Sequence, residues 1–266
     1  MKKILLRIIV VLFVLYIFIC GLLFFFQEKI IFSSERIDKN FKFSFAQKFE
    51  EINIKTKDGK FLNGLLFRAD SAKGLIFYLH GGEGSVREWG GIAQYYTKLN
   101  YDIFILDYRG YGKSEGSNTS QNQFFEDVQM AYNEMKKRYS EDKIVVLGYS
   151  LGTGPGAKIA STNKPKQLVL EAPYYSMTDM MKRSFPGIPT FILKYKLETD
   201  KYLKECKVPV VIFHGNRDAQ IDYRSSIRLK EALKNTDTLI ILNGTGHWNI
   251  RGNPVYTNEI KKLLNQ

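Results

Sequence analysis

The chain has 266 residues, 44% hydrophobic and 25% charged with no biased tracts, which suits one full-sized domain plus an appendage and excludes two large domains. Its formal charge is +12, but Lys and Arg are spread along the whole length with Glu or Asp nearby. With no basic tail and no nucleic-acid motif, the excess reads as a solvated basic surface, with attraction to anionic lipid headgroups as the functional alternative; nucleic acid is not an expected partner.

The N-terminus carries Lys2, Lys3 and Arg7, then an uncharged run from Ile8 to Phe26. About 19 residues is close to the roughly 20 that a helix needs to cross the hydrocarbon core. A cleaved signal peptide would have a shorter apolar core and a small-residue cleavage site. This run ends instead in Phe24-Phe25-Phe26-Gln27, and Ile19 before Cys20 spoils a lipoprotein site. The segment therefore reads as an uncleaved signal anchor, a single membrane-spanning helix. The basic N-terminus favours a cytoplasmic start with the rest of the chain outside the cytoplasm, although Lys29, Arg36, Lys39 and Lys42 on the far side weaken that preference. Cys20 lies within this run and Cys206 far beyond it, so a disulfide is not expected. Neither sits at metal-ligand spacing, and no metal or cofactor is expected.

After a connecting stretch with alternating Phe41, Phe43 and Phe45, Ile52 and Ile54 lead to Asp58-Gly59, and Phe61 to Phe67 follows, the pattern of a β-hairpin. Short apolar runs then recur at 74–79, 103–106, 144–147, 168–170, 208–213 and 239–242, separated by helix-like stretches such as 124–139. Buried strands joined by helices predict a largely parallel sheet covered on both faces, with ligands at the carboxyl ends of its strands.

Each chemically suggestive motif follows one of those runs. Gly148-Tyr149-Ser150-Leu151-Gly152 is a G-x-S-x-G between a strand and a helix-compatible stretch, the setting that pushes a serine Oγ out above a sheet. A serine hydroxyl needs a base. Of the three histidines, His247 lies in a loop after the last strand and is the natural base, whereas His80 and His214 each end a strand and read as structural. The carboxylate that orients the base is Asp218, in His214-Gly215-Asn216-Arg217-Asp218, with Asp222 as the alternative. Asp107 precedes the serine and reads as structural. His80-Gly81-Gly82-Glu83-Gly84 is a glycine-rich loop able to aim a backbone N–H at an oxyanion. Gly82 is the expected donor, Glu83 the alternative, and the Leu151 N–H the second donor.

Together these residues resemble a known family. Asp107-Tyr108-Arg109-Gly110-Tyr111-Gly112-Lys113-Ser114-Glu115-Gly116, the Ser150 pentapeptide, Glu171-Ala172-Pro173-Tyr174-Tyr175-Ser176 and the His214-to-Asp218 stretch are similar to those of membrane-tethered α/β-hydrolase-domain serine hydrolases. That group includes monoacylglycerol and lysophospholipid lipases and protein depalmitoylases. The resemblance runs over roughly residues 50 to 265. It implies the α/β-hydrolase fold with Ser150, Asp218 and His247 as a catalytic triad, and a serine excludes the aspartate-nucleophile variant of that fold. One departure is Pro155 early in the helix after the serine, harmless in a first turn and a kink further in. The expected organisation is an anchor over 1–27, a linker over 28–48 and a hydrolase domain over 49–266. Within that domain, 173–207 fits no strand–helix repeat and holds Met177, Met180, Met181, Phe185, Ile188, Phe191, Ile192 and Leu193. It reads either as a helix pair on the core or as a small cap supplying apolar wall for an acyl chain.

The expected function is hydrolysis of a carboxylic ester or thioester of a small acyl or lipid-like substrate through an acyl-enzyme. The alternatives are a peptidase on the same fold and, with less support because all three triad residues are present, an inactive membrane-anchored binding protein. No further acidic residue stands out as a holder for a substrate amine.

Overall fold

The computed structural model describes residues 1–265. Helix α1 (Lys2–Ile31) is long and apolar enough to cross a membrane. A two-residue strand β1 (Ser33–Ser34) follows, then the hairpin β2 (Phe49–Lys55) and β3 (Phe61–Phe67). The chain continues through β4 (Gly74–Leu79), the short β5 (Glu83–Gly84), α2 (Val86–Trp89), α3 (Ala93–Thr97), β6 (Tyr101–Leu106) and α4 (Gln121–Lys136). Next come β7 (Ile144–Tyr149), α5 (Thr153–Thr162), β8 (Gln167–Glu171), α6 (Met177–Ser184) and α7 (Thr199–Glu205). The last elements are β9 (Val210–Gly215), α8 (Arg224–Leu229), β10 (Thr238–Leu242) and α9 (Pro254–Asn265).

Eight strands form one sheet in the order β10-β9-β8-β7-β4-β6-β3-β2, parallel except where β3 pairs with β2 and β6. Every residue of β4, β6, β7 and β9 is buried. Alternate residues supply the two faces: Leu75, Phe77 and Leu79 join a core beneath α4, α5 and α7, while Ile76 and Tyr78 join a second core beneath α2, α3 and α9. This is why the strands read as continuous apolar runs rather than alternating ones.

Local chemistry moved several predicted boundaries. Helix α4 starts three residues early because the Ser120 side chain caps it, accepting from the Gln123 N–H at 3.2 Å. It ends at Lys136, and Tyr139 instead donates its hydroxyl to Asp102 at 2.6 Å. Asp102, also bonded by Arg68 at 3.0 Å, is thereby satisfied inside β6. Pro155 falls in the first turn of α5, where it costs no helical hydrogen bond. Helix α1 runs to Ile31, past residue 27, and the 28–48 stretch is held to the domain. Ser33 and Ser34 pair in parallel with Glu83 and Gly84, Arg36 bridges to Gly112, and Glu35 meets Arg87. Within 173–207, α7 packs on α5 as part of the core, whereas α6 and the segment after it stand over the carboxyl ends of the strands.

The loop from Asp107 to Gly116 is fixed by Arg109, whose buried guanidinium bonds Asp127 of α4 at 2.7 Å and Asp58 of the hairpin turn at 2.7 Å. Removing one partner of a buried pair leaves the other charge uncompensated. Arg109→Leu should therefore cost about 3–5 kcal/mol, read as a drop in Tm, and Asp127→Asn in the same chain should recover part of the loss.

Candidate active site

The elbow is built by backbone geometry. Ser150, between the end of β7 and α5, has φ +50°, in the left-handed region that costs a non-glycine residue about 1–3 kcal/mol. Gly152 makes this possible. A Cβ there would lie 2.0 Å from the carbonyl oxygen of Leu79, so any side chain would push the turn off the end of β4. The same closeness sets Leu151 beside Gly82, whose ideal Cβ position is 3.6 Å from Leu151 Cδ2. Neither the Gly82 nor the Leu151 N–H is used in a turn or loop hydrogen bond among the described residues. Glu83, the alternative donor, is drawn into the β5 pairing with Ser33.

Two strand-end loops bring the remaining groups over the elbow. Gly215, at the end of β9, lies so close to the loop after β10 that a Cβ would be 2.2 Å from the Thr245 carbonyl oxygen. This contact sets the Asp218 turn against the His247 loop. His247 Nδ1 is 2.7 Å from Asp218 Oδ2, and His247 Nε2 is 3.1 Å from Ser150 Oγ. A carboxylate only accepts, so Nδ1 carries the proton and the Nε2 lone pair faces the serine hydroxyl. Tyr149 fixes the loop from below, donating its hydroxyl to the His247 carbonyl at 3.0 Å. Ser150, His247 and Asp218 thus form one hydrogen-bonded line able to move a proton from Oγ to Nε2. Asp222 is outside it, tied to Arg224 and 3.5 Å from Arg183.

His214 has more than the expected structural role. Its Nε2 faces two acceptors, the Ile221 carbonyl at 2.9 Å and Asp218 Oδ2 at 3.3 Å, so it is a donor. Its Nδ1 accepts from the Ser226 hydroxyl at 2.6 Å. Burial works against the charge on Asp218. The His214 and His247 N–H groups and the Ile221 N–H outweigh it and hold the carboxyl well below the usual carboxylate range. His80 bonds the Gly81 carbonyl at 2.7 Å and lies 3.5 Å from buried Asp107, whose carboxyl burial pushes up.

A mostly apolar cavity of about 330 Å³ opens over Ser150 and His247. Met177, Met180, Met181, Phe185, Ile192 and Leu193 line it, as expected of the cap, whereas Ile188 and Phe191 do not. Two contributions were not legible in the sequence. Leu23, Gln27, Ile30 and Ile31 of α1 form part of the wall, and Glu83 is a lining residue as well. The only sequence signal for the first is Gln27, a polar residue at the end of an apolar run; it is buried, and its side-chain amide donates to the Ile192 carbonyl at 3.2 Å and accepts from the Lys194 N–H at 2.7 Å.

A family model described as serine aminopeptidase, S33, matches residues 70–199. Over 241 residues the chain is 25% identical to human alpha/beta hydrolase domain-containing protein 17B, covering 88% of this chain and 81% of that protein. It is 26% identical over 212 residues to the uncharacterized protein YfhR of Escherichia coli O157:H7, covering 74% and 73% respectively. Among solved structures, an esterase of Pyrococcus furiosus superposes with a TM-score of 0.70 at 20% identity, over 87% of this chain and 96% of that one. A bromoperoxidase from Bacillus anthracis gives 0.62 at 16% identity, over 81% and 99%. Such likenesses carry the fold and leave the chemistry to the site. The chain thus has the α/β-hydrolase fold and is similar over most of its length to an α/β-hydrolase domain-containing protein.

Proposed function

We propose that the chain is a serine hydrolase of acyl esters or thioesters, with Ser150 as nucleophile, His247 as base and Asp218 as orienting acid. The observation that carries this reading is the Ser150–His247–Asp218 line beneath an apolar cavity. Ser150 Oγ attacks the substrate carbonyl carbon as its proton passes to His247 Nε2, and the oxyanion is held by the Gly82 and Leu151 N–H groups. The tetrahedral adduct expels the alcohol or thiol, which takes the proton from His247. Water, deprotonated by the same nitrogen, then attacks the acyl-enzyme and releases the acid. Domain limits follow the same reading: α1 is the anchor, with its basic end in the cytoplasm and the hydrolase domain on the other side.

A peptidase is the second reading, favoured by one specific observation. Glu83 is among the residues that line the cavity, and its carboxylate is a candidate holder of a substrate amine, in keeping with the aminopeptidase description of the matching family model. Rates on an aminoacyl anilide and on a p-nitrophenyl ester discriminate the two. The peptidase reading requires the anilide to be preferred and Glu83→Gln to abolish that preference.

Ser150→Ala should abolish labelling by a fluorophosphonate and lower ester turnover on the order of 10⁴-fold or more. Labelling that persists on another serine assigns the nucleophile elsewhere. Asp218→Asn should cost on the order of 10⁴ in kcat, while Asp222→Asn costs little; the reverse order would transfer the role to Asp222. Asp218 also carries a stability signature. Its pKa is depressed by folding, so its contribution is present above the unfolded value of about 3.9 and is lost as pH falls through the lower folded value. Melting curves should therefore show a shallower decline below about pH 4 in Asp218→Asn than in the parent protein. Full-length protein should remain with membranes after a carbonate wash, because a spanning helix is not released by screening charge; release of the chain would show that α1 does not span.

A further inference from the structure

Helix α1 does not leave the domain at Ile31 and run free. Gln27 joins it to the segment 192–194, Lys194 Nζ pairs with Glu28 at 3.0 Å, and the same ammonium lies 4.7 Å from the Phe24 ring. The contact extends much further towards the N-terminus. The Tyr16 hydroxyl donates to the carbonyl of Gly187 at 2.9 Å. The segment after α6 therefore lies along α1 from Gln27 to Tyr16, and Tyr16 lies about 15 Å of helix before Phe26 at 1.5 Å per residue.

That segment has a composition suited to such a place. From Ser184 to Leu193 it reads SFPGIPTFIL, without a charge, and it is bracketed by Lys182 and Arg183 on one side and Lys194 on the other. Phe191 is 83% exposed and Phe185 43%, and on α1 Phe25, Phe26 and Ile30 are bare as well. Part of the segment's backbone is satisfied without water. Pro186 and Pro189 have no N–H, the Ile188 and Leu193 N–H groups bond Phe185 and Thr190 carbonyls, and Gly187 receives Tyr16. Backbone groups away from water require such partners.

We propose that the 184–193 segment is immersed in the near leaflet beside α1, and that the cavity draws the acyl chain of a membrane-resident ester or thioester directly from that leaflet. The proposal rests on the hydrolase reading above for its chemistry, but its placement rests on geometry alone. The uncharged run of α1 ends at Phe26, and the segment lies against that run, so a helix that spans the bilayer carries the segment in with it. Leu23, within the same run, and Phe185, within the segment, both line the cavity, so the cavity extends to the level of the hydrocarbon. An acyl chain can therefore pass between α1 and α6 to Ser150 without entering water, which spares it about 0.8 kcal/mol per CH₂. The flanking Lys182, Arg183 and Lys194 are placed to meet anionic headgroups.

The test uses full-length protein in phosphatidylcholine vesicles. With p-benzoylphenylalanine in place of Phe191, irradiation should yield a lipid adduct by mass spectrometry, and the same probe in place of exposed Lys137 on the far side of the domain should yield none. Absence of a lipid adduct at 191 in vesicle-bound protein overturns the immersion, as does a mature chain that lacks α1. Phe191 does not line the cavity, so Phe191→Asp should leave hydrolysis of water-soluble p-nitrophenyl acetate unchanged and lower turnover of a vesicle-embedded long-chain monoacylglycerol tenfold or more. Unchanged turnover of the embedded ester overturns supply from the leaflet. A parent protein that forms the adduct but hydrolyses neither ester refutes the hydrolase reading and leaves the immersion standing.

Discussion

The site depends on the approach of Gly152 to the Leu79 carbonyl. Strands β4 and β7 are neighbours in register, Leu79 opposite Gly148, so the turns that leave them must share one space. They can do so only because one turn offers a residue without a side chain. That contact holds Ser150 at a positive φ against its intrinsic preference and sets Leu151 next to Gly82. The strain is carried by the most buried part of the sheet, where every flanking strand residue is already fixed by packing. A second close contact, Gly215 against the Thr245 carbonyl, does the same for the loops that carry Asp218 and His247. Two strand pairs, β4 with β7 and β9 with β10, thus determine the distances between groups that lie 29 and 97 residues apart in sequence.

Much of this was legible because parallel strands buried on both faces leave continuous apolar runs, and because glycines collect where turns crowd. The run at 74–79 matches β4 without adjustment. The errors arose where a polar residue is satisfied by a distant partner. Asp102 shortens the apparent run of β6, since nothing near it in sequence announces Arg68 and Tyr139. His214 looked like a histidine serving backbone alone, because a five-residue turn had to fold before its Nε2 could face Asp218. The wall contributed by α1 was hidden for a different reason. An apolar helix has the same pattern whether it faces lipid, protein or both, and only the buried amide of Gln27 distinguishes one side of it.

That amide changes what the N-terminal helix is. A tether would need only length and apolarity, with a loose connection to the domain. Here the connection is short and paired throughout: Gln27 to the 192–194 backbone, Phe32 edge-on to Phe124 and Tyr195 in the core, and Ser33–Ser34 in a ladder with Glu83–Gly84. A buried amide left unpaired costs about 1–3 kcal/mol, so separating α1 from the 192–194 segment is opposed at both of its polar ends. The domain is accordingly held at one angle to the helix rather than swinging on a linker.

Rigid attachment also links the two ends of the site. The loop from Gly81 to Gly84 has two neighbours, the elbow on one side and the chain leaving α1 on the other, where the Ile31 carbonyl lies 2.9 Å from the place a Gly82 Cβ would occupy. Gly82 therefore sits in a slot whose far wall is the end of α1, and a side chain there would displace either that helix end or the Leu151 contact. The same few residues line the apolar cavity and continue into the helix that is apolar enough to enter a membrane. The end of α1, the loop at Gly82 and the elbow at Ser150 are therefore fixed relative to one another by one set of contacts.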